Sequence, residues 1–152
     1  MKWTVKDYDT YSQSKDYVDT AIVPLIPISM GSDTKTLISK GEFLHLISHE
    51  VERQLKGRVY LLPDFSYLHH QKETTMKHIE DVKRELHNEF KHVMFLTCDD
   101  TLKHSEFVLS KDNLIYLPPV PFEHMDDQLK RKLLQDQVEQ ILNILLQSWN
   151  KS

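Results

Sequence analysis

Carboxylates and imidazoles recur in the polar stretches that follow this chain's apolar runs. Those stretches are Ser29-Met-Gly-Ser-Asp33, Tyr67-Leu-His-His70, Cys98-Asp-Asp100 and Glu123-His-Met-Asp126. If the apolar runs are strands of one parallel sheet, their loops meet at a shared edge, which is where α/β folds place ligands. Asp33, His69, His70, Asp99, Asp100, Glu123 and His124 then face one cleft. Oxygen and imidazole donors of this kind hold Zn²⁺, Mn²⁺ or Fe²⁺, and a bound ion activates water near neutral pH. Asp33, His69, His70, Asp99 and His124 are therefore the candidate ligands of a small metal-dependent hydrolase. The same residues also suit polar loops and helix caps. A divalent metal is thus the one cofactor worth testing, and none is required by the sequence.

Other catalytic patterns are incomplete. His45 and His49 have the i, i+4 spacing of a helical metal chelate, but Leu46 stands where a zinc protease needs Glu. Cys98 precedes two carboxylates, which disfavour a thiolate, so a buried structural cysteine is expected. Ser29 and Ser32 lack the surrounding Gly-x-Ser-x-Gly of a nucleophile elbow. With glycine only at positions 31, 41 and 57, no GxGxxG or GxxxxGK[ST] phosphate loop can be built.

The elements that must position these residues are legible in the apolar spacing. Tyr8 and Tyr11 sit on one side of a short helix for which Asp7 is the candidate cap. Ala21 to Ile28 reads as a strand apolar on both faces. Pro24 and Pro27 lie three positions apart, an odd offset, so their missing N–H groups fall on opposite edges, and a short or interrupted strand is expected. From Thr36 to Lys56, Leu37, Leu44, Ile47, Val51 and Leu55 make one helical stripe, with Gly57 placed for a left-handed cap. His45, His49, Glu52 and Lys56 fall on its solvated flank. Arg58 to Phe65 is a second buried strand, and Thr74 or Thr75 opens a second amphipathic helix through Phe90. His92 to Thr97 is a third strand. Phe107–Leu109 and Leu114–Leu117 flank a four-residue turn, which fits a hairpin or a helical turn leading into one strand. Asp126 or Asp127 caps a final helix to Trp149. Strands alternating with long helices predict an α/β fold: a single domain over residues 1–152, three layers α/β/α, with a mainly parallel sheet of four or five strands.

Composition sets the class. The 152 residues are 39% apolar and 28% charged, with a net charge of −4 that argues against a nucleic-acid partner. The longest apolar run is too short to enter a bilayer as a span. The opening MKWTVKDYDTYSQSKDY lacks the apolar stretch of a signal peptide, and one cysteine cannot form an internal disulfide. A cytoplasmic protein is expected. The last helix carries Leu133, Leu134, Ile141, Leu142, Ile144, Leu145, Leu146 and Trp149, more than one narrow stripe. Its surplus face is the candidate surface for a protein partner or a second copy.

The segments KWTVKDYDTYSQSKDYVDTAIVPLIPIS, VYLLPDFSYL and LIYLPP resemble the uncharacterised YpiF-type family of Bacillus-like bacteria, DUF2487, along the whole chain. No residue role is carried over from that family. The resemblance implies a cytoplasmic accessory role near the menaquinol–cytochrome c reductase, and together with the incomplete catalytic patterns it leads to the expectation of a non-enzymatic accessory or binding protein. A partial similarity links Ile22-Val-Pro-Leu-Ile-Pro-Ile-Ser and Val59-Tyr-Leu-Leu-Pro to the first two strands of creatininase-like amidohydrolases. Their Glu-x-His-Gly metal motif is replaced here by Ser29-Met-Gly-Ser-Asp33, with neither Glu nor His.

Overall fold

The computed structural model describes residues 1–103, 114–120 and 122–151. Its elements run α1 (Val5–Ser12), β1 (Thr20–Ile28), α2 (Thr34–Gln54), β2 (Val59–Leu61), β3 (Phe65–Leu68), α3 (Lys72–Leu86), β4 (His92–Thr97), β5 (Leu114–Tyr116) and α4 (Asp127–Asn150). The strand order is β2-β1-β4-β5, with β3 continuing along β1 beyond β2, and all four pairings are parallel.

Alternation along the strands divides the core in two. Ile22, Val59, Leu61, Met94, Leu96 and Ile115 point to one face, where Phe43, Leu44, Ile47 and Val51 of α2 and Val138, Ile141 and Leu145 of α4 cover them. Ala21, Val23, Leu25, Tyr60, Val93 and Phe95 point to the other, against Tyr11 of α1 and Met76 and Ile79 of α3. The result is the expected α/β/α arrangement around a parallel sheet. Each fully buried aliphatic side chain contributes about 1.5–3 kcal/mol of burial free energy. That burial, and not propensity, holds helices of mixed composition in place.

Two prolines explain a departure from expectation. Strand β1 is not interrupted; it runs nine residues without a break. The carbonyls of Ile22 and Ile28 accept from Leu62 and His69, so even-numbered residues of β1 bond toward β2 and β3. The N–H that Pro24 lacks would therefore face that side, where no ladder residue opposes it, because β2 ends at Leu61 and β3 starts at Phe65. Pro27 faces the β4 side, beyond the last paired residue, Leu25. The break predicted for β1 has moved into its neighbour, at Leu62-Pro63-Asp64, so that Arg58 to Phe65 forms two strands and not one.

Helix ends also differ in detail. Thr4, not Asp7, caps α1, its hydroxyl accepting from the Asp7 amide at 3.1 Å, while the Asp7 carboxylate accepts from the Lys2 amide. Gly57 has no positive φ; α2 closes instead with the Leu55 amide bonded to Val51 and Glu52 carbonyls. Helix α3 starts at Lys72, ahead of Thr74, behind a Gln71 cap that makes no side-chain bond. Asp126 caps α4 as expected, accepting from the Leu129 amide at 2.8 Å. Strand β5 lies parallel to β4; residues 107–109, the other arm of the expected hairpin, fall outside the described residues.

Candidate functional site

Chain direction reverses across the sheet at β1: α2 leads to β2 and β3 on one side, α3 to β4 on the other. The C-terminal ends of β1 and β4 consequently flank a topological switch point, where α/β folds bind ligands. Three of the candidate residues meet there. Asp33 ends the loop after β1, His69 follows β3 and Asp99 follows β4.

Asp99 is the centre of this cluster. It is 1% exposed, and its carboxylate accepts hydrogen bonds from the Tyr67 hydroxyl (2.5 Å), the Thr101 amide (3.0 Å) and the Thr101 hydroxyl (2.7 Å). His69 Nε2 lies 3.3 Å away, and the Asp99 amide donates to Thr97 Oγ1. Burial by itself would raise the Asp99 pKa. The hydrogen bonds from Tyr67 and Thr101, with the charge of His69, outweigh it and hold the carboxyl below its usual value. Burial and the bond to Asp99 push the Tyr67 hydroxyl upward, so Tyr67 stays a donor. On the open side, His69 Nδ1 stands 3.9 Å from Asp33 Oδ2, too far for a hydrogen bond. Asp33 is about half exposed and, although it is the N-cap of α2, its side chain caps nothing. The Thr34 hydroxyl ties the preceding loop instead, accepting from the Gly31 amide and donating to the Ser29 carbonyl.

The other candidates stay apart. His70, Asp100, Glu123 and His124 are exposed and enter no side-chain hydrogen bond or ion pair among the described residues. Cys98 and Asp99, adjacent in sequence, point to opposite faces. Cys98 is buried with the α2 and α4 side chains, and burial pushes its thiol up to about 12, as befits a structural cysteine. His45 and His49 rings meet tilted at 42° with centroids 4.1 Å apart, and His45 Nδ1 is 3.0 Å from Asp64 Oδ2. Glu52 is not solvated but 2% exposed, held 2.9 Å from the Met1 ammonium. Among the described residues no group of three His, Cys, Asp or Glu stands in position to hold a metal ion.

Beside the cluster, between the end of β1 and the first half of α2, lies an apolar cavity of about 590 Å³. Ile28, Met30, Ile38 and Leu46 line it while remaining 42–86% exposed. Sequence reasoning missed Tyr67, Thr97 and Thr101. Asp99-x-Thr101 carries a usable signal, since Asp bonds the amide two residues on in an Asx-turn. Tyr67 had none, because its meeting with Asp99 depends on β3 and β4 sharing β1.

Comparison with known proteins places the chain. The family model described as a protein of unknown function, DUF2487, matches residues 9–149. The uncharacterised protein YpiF of Bacillus subtilis (strain 168) is 46% identical over 150 residues, covering 99% of each chain. No solved structure matches. The creatininase-like likeness therefore stays a resemblance between short segments. No helix among the described residues is long and apolar enough to cross a membrane. By a family match over most of its length and a relative aligned from end to end, the chain belongs to the DUF2487 family.

Proposed function

We propose that this protein is a non-enzymatic accessory protein of the cytoplasm that acts by binding a partner. One observation carries the reading. The buried acid at the sheet's C-terminal edge is engaged by donors from its own chain, two of them from Thr101. A general base needs a free lone pair aimed at substrate, and the lone pairs of Asp99 brace the β3 loop against the β4 loop. The neighbouring thiol points away and its pKa is raised. Surface, by contrast, is available for a partner. Helix α4 buries Val138, Ile141 and Leu145 and leaves Leu129, Ile144 and Leu146 exposed. The resemblance to the YpiF-type family adds the menaquinol–cytochrome c reductase as the assembly to test. Co-purification of reductase subunits with the wild-type chain, lost on Leu146→Asp, supports the role. Turnover of amide or phosphoester substrates by the pure protein overturns it.

A metal-dependent hydrolase is the rival reading, favoured by one specific feature. A metal-bound histidine commonly turns its second nitrogen to a carboxylate. His69 does so toward Asp99, and its other nitrogen faces Asp33.

A further inference from the structure

A second cavity, of about 510 Å³, opens beside the N-terminal ends of β2 and β4 and shares no residue with the Asp99 cluster. Aromatic rings form its walls: Trp3, Tyr8 and Tyr11 from the first residues, Tyr60 from β2 and Phe90 from the turn before β4. They meet mostly edge to face. Trp3 and Tyr60 centroids are 6.1 Å apart at 69°, and Tyr11 and Tyr60 5.1 Å apart at 85°. Trp3 is 65% and Tyr8 48% exposed, a large aromatic area left in water. Glu85 and Glu89 stand on the same rim.

Aromatic faces backed by carboxylates attract one class of ligand. The ring quadrupole draws a cation, most strongly when the cation sheds water easily, as alkylated ammonium groups do. The chain itself shows this chemistry at the rim: Lys15 Nζ lies 5.7 Å from the Tyr11 centroid and 3.3 Å from Glu89. The cavity volume is in the range of small-molecule sites. We propose that the pocket walled by Trp3, Tyr8, Tyr11, Tyr60 and Phe90 binds a small organic cation bearing an alkylated ammonium group, with Glu85 supplying the countercharge beside Glu89, which Lys15 and the Tyr11 hydroxyl already engage. The proposal stands independently of the accessory role, since it rests on a different edge of the sheet.

Calorimetric titration with choline tests it, beside the neutral isostere in which tert-butyl replaces the trimethylammonium. Choline binds saturably at one site. The isostere binds about tenfold more weakly, the discrimination expected of a cation partly desolvated over aromatic faces. Trp3→Ala weakens choline binding about tenfold, and since Trp3 is largely exposed the fold survives that change. Glu85→Gln weakens choline without affecting the isostere. Equal affinity for choline and the isostere overturns the proposal, as does the absence of saturable binding. Sedimentation with phosphatidylcholine vesicles without binding of free choline also overturns it, because the site would then read a lipid headgroup.

Discussion

Replacing Asp99 by Asn keeps the shape of the side chain and removes its charge, which makes it a sharp test of the brace. The Asn carbonyl can accept from only one side, so either the buried Tyr67 hydroxyl or the part-buried Thr101 donors are left facing an amide N–H. A hydrogen bond to a charged group contributes about 1.5–3 kcal/mol, and a buried donor without a partner costs about 1–3 kcal/mol. Since the two overlap, a loss of about 2–4 kcal/mol is expected, a large part of the about 5–15 kcal/mol that holds a domain folded. For a chain of this size that lowers Tm by about 5–15 °C. The loss depends on pH in a defined direction. Asp99 has a depressed carboxyl pKa in the folded state, so the folded state binds its proton less readily than the unfolded chain. Its contribution is complete above the unfolded value of about 3.9 and disappears as pH falls through the lower folded value. Urea unfolding of wild type and Asp99→Asn over a pH series should show a wide gap near neutrality that narrows below about pH 4. Tyr67→Phe, which deletes a single donor, should cost less, about 1–2 kcal/mol. Equal stabilities near neutral pH, or a gap unchanged by acid, would refute the reasoning.

Three other outcomes follow from the packing. Cys98, buried and with its thiol raised to about 12, should resist alkylation in the native protein and react only on unfolding, as read by mass spectrometry across a denaturant series. Trp149 donates to the buried Thr20 hydroxyl at 2.8 Å and stacks under the Arg58 guanidinium at 3.7 Å; Trp149→Phe should cost about 1–2 kcal/mol in urea unfolding. A Cβ at Gly41 would stand 3.3 Å from Ile26 Cγ2, so Gly41→Val should destabilise by about 1–3 kcal/mol through crowding, visible as a lower Tm.

The layers were legible because burial leaves a period in the sequence. The stripe Leu37, Leu44, Ile47, Val51 found α2 to within two residues at either end, since only a helix presents those positions together. The prolines of β1 were read correctly as facing opposite edges, yet their effect depended on where the neighbouring strands begin and end, which is tertiary information. Gly57 misled because a glycine after a helix suits a left-handed cap without requiring one. Glu52 misled because its partner, the Met1 ammonium, is remote in sequence. For the site, loop position after a strand brought Asp33, His69 and Asp99 to attention, and the structure brings those three together. His70 and His124 shared the same sequence signature. Which member of a His-His pair turns inward is set by strand alternation, and His69 continues the face of Tyr67.

If Asp99, held by Tyr67, Thr101 and His69, braces the β3 loop against the β4 loop, its carboxylate is engaged by the chain itself and not by a metal ion. The most direct test of that brace is the melting temperature of the protein, free of any histidine tag, across a titration of Zn²⁺ and of Mn²⁺. Ligand binding to the folded state alone raises stability with concentration. The brace predicts no saturable rise in Tm for either ion, and a drop in Tm on His69→Ala that added metal does not alter. A saturable, concentration-dependent rise that His69→Ala abolishes would contradict it and establish a metal centre.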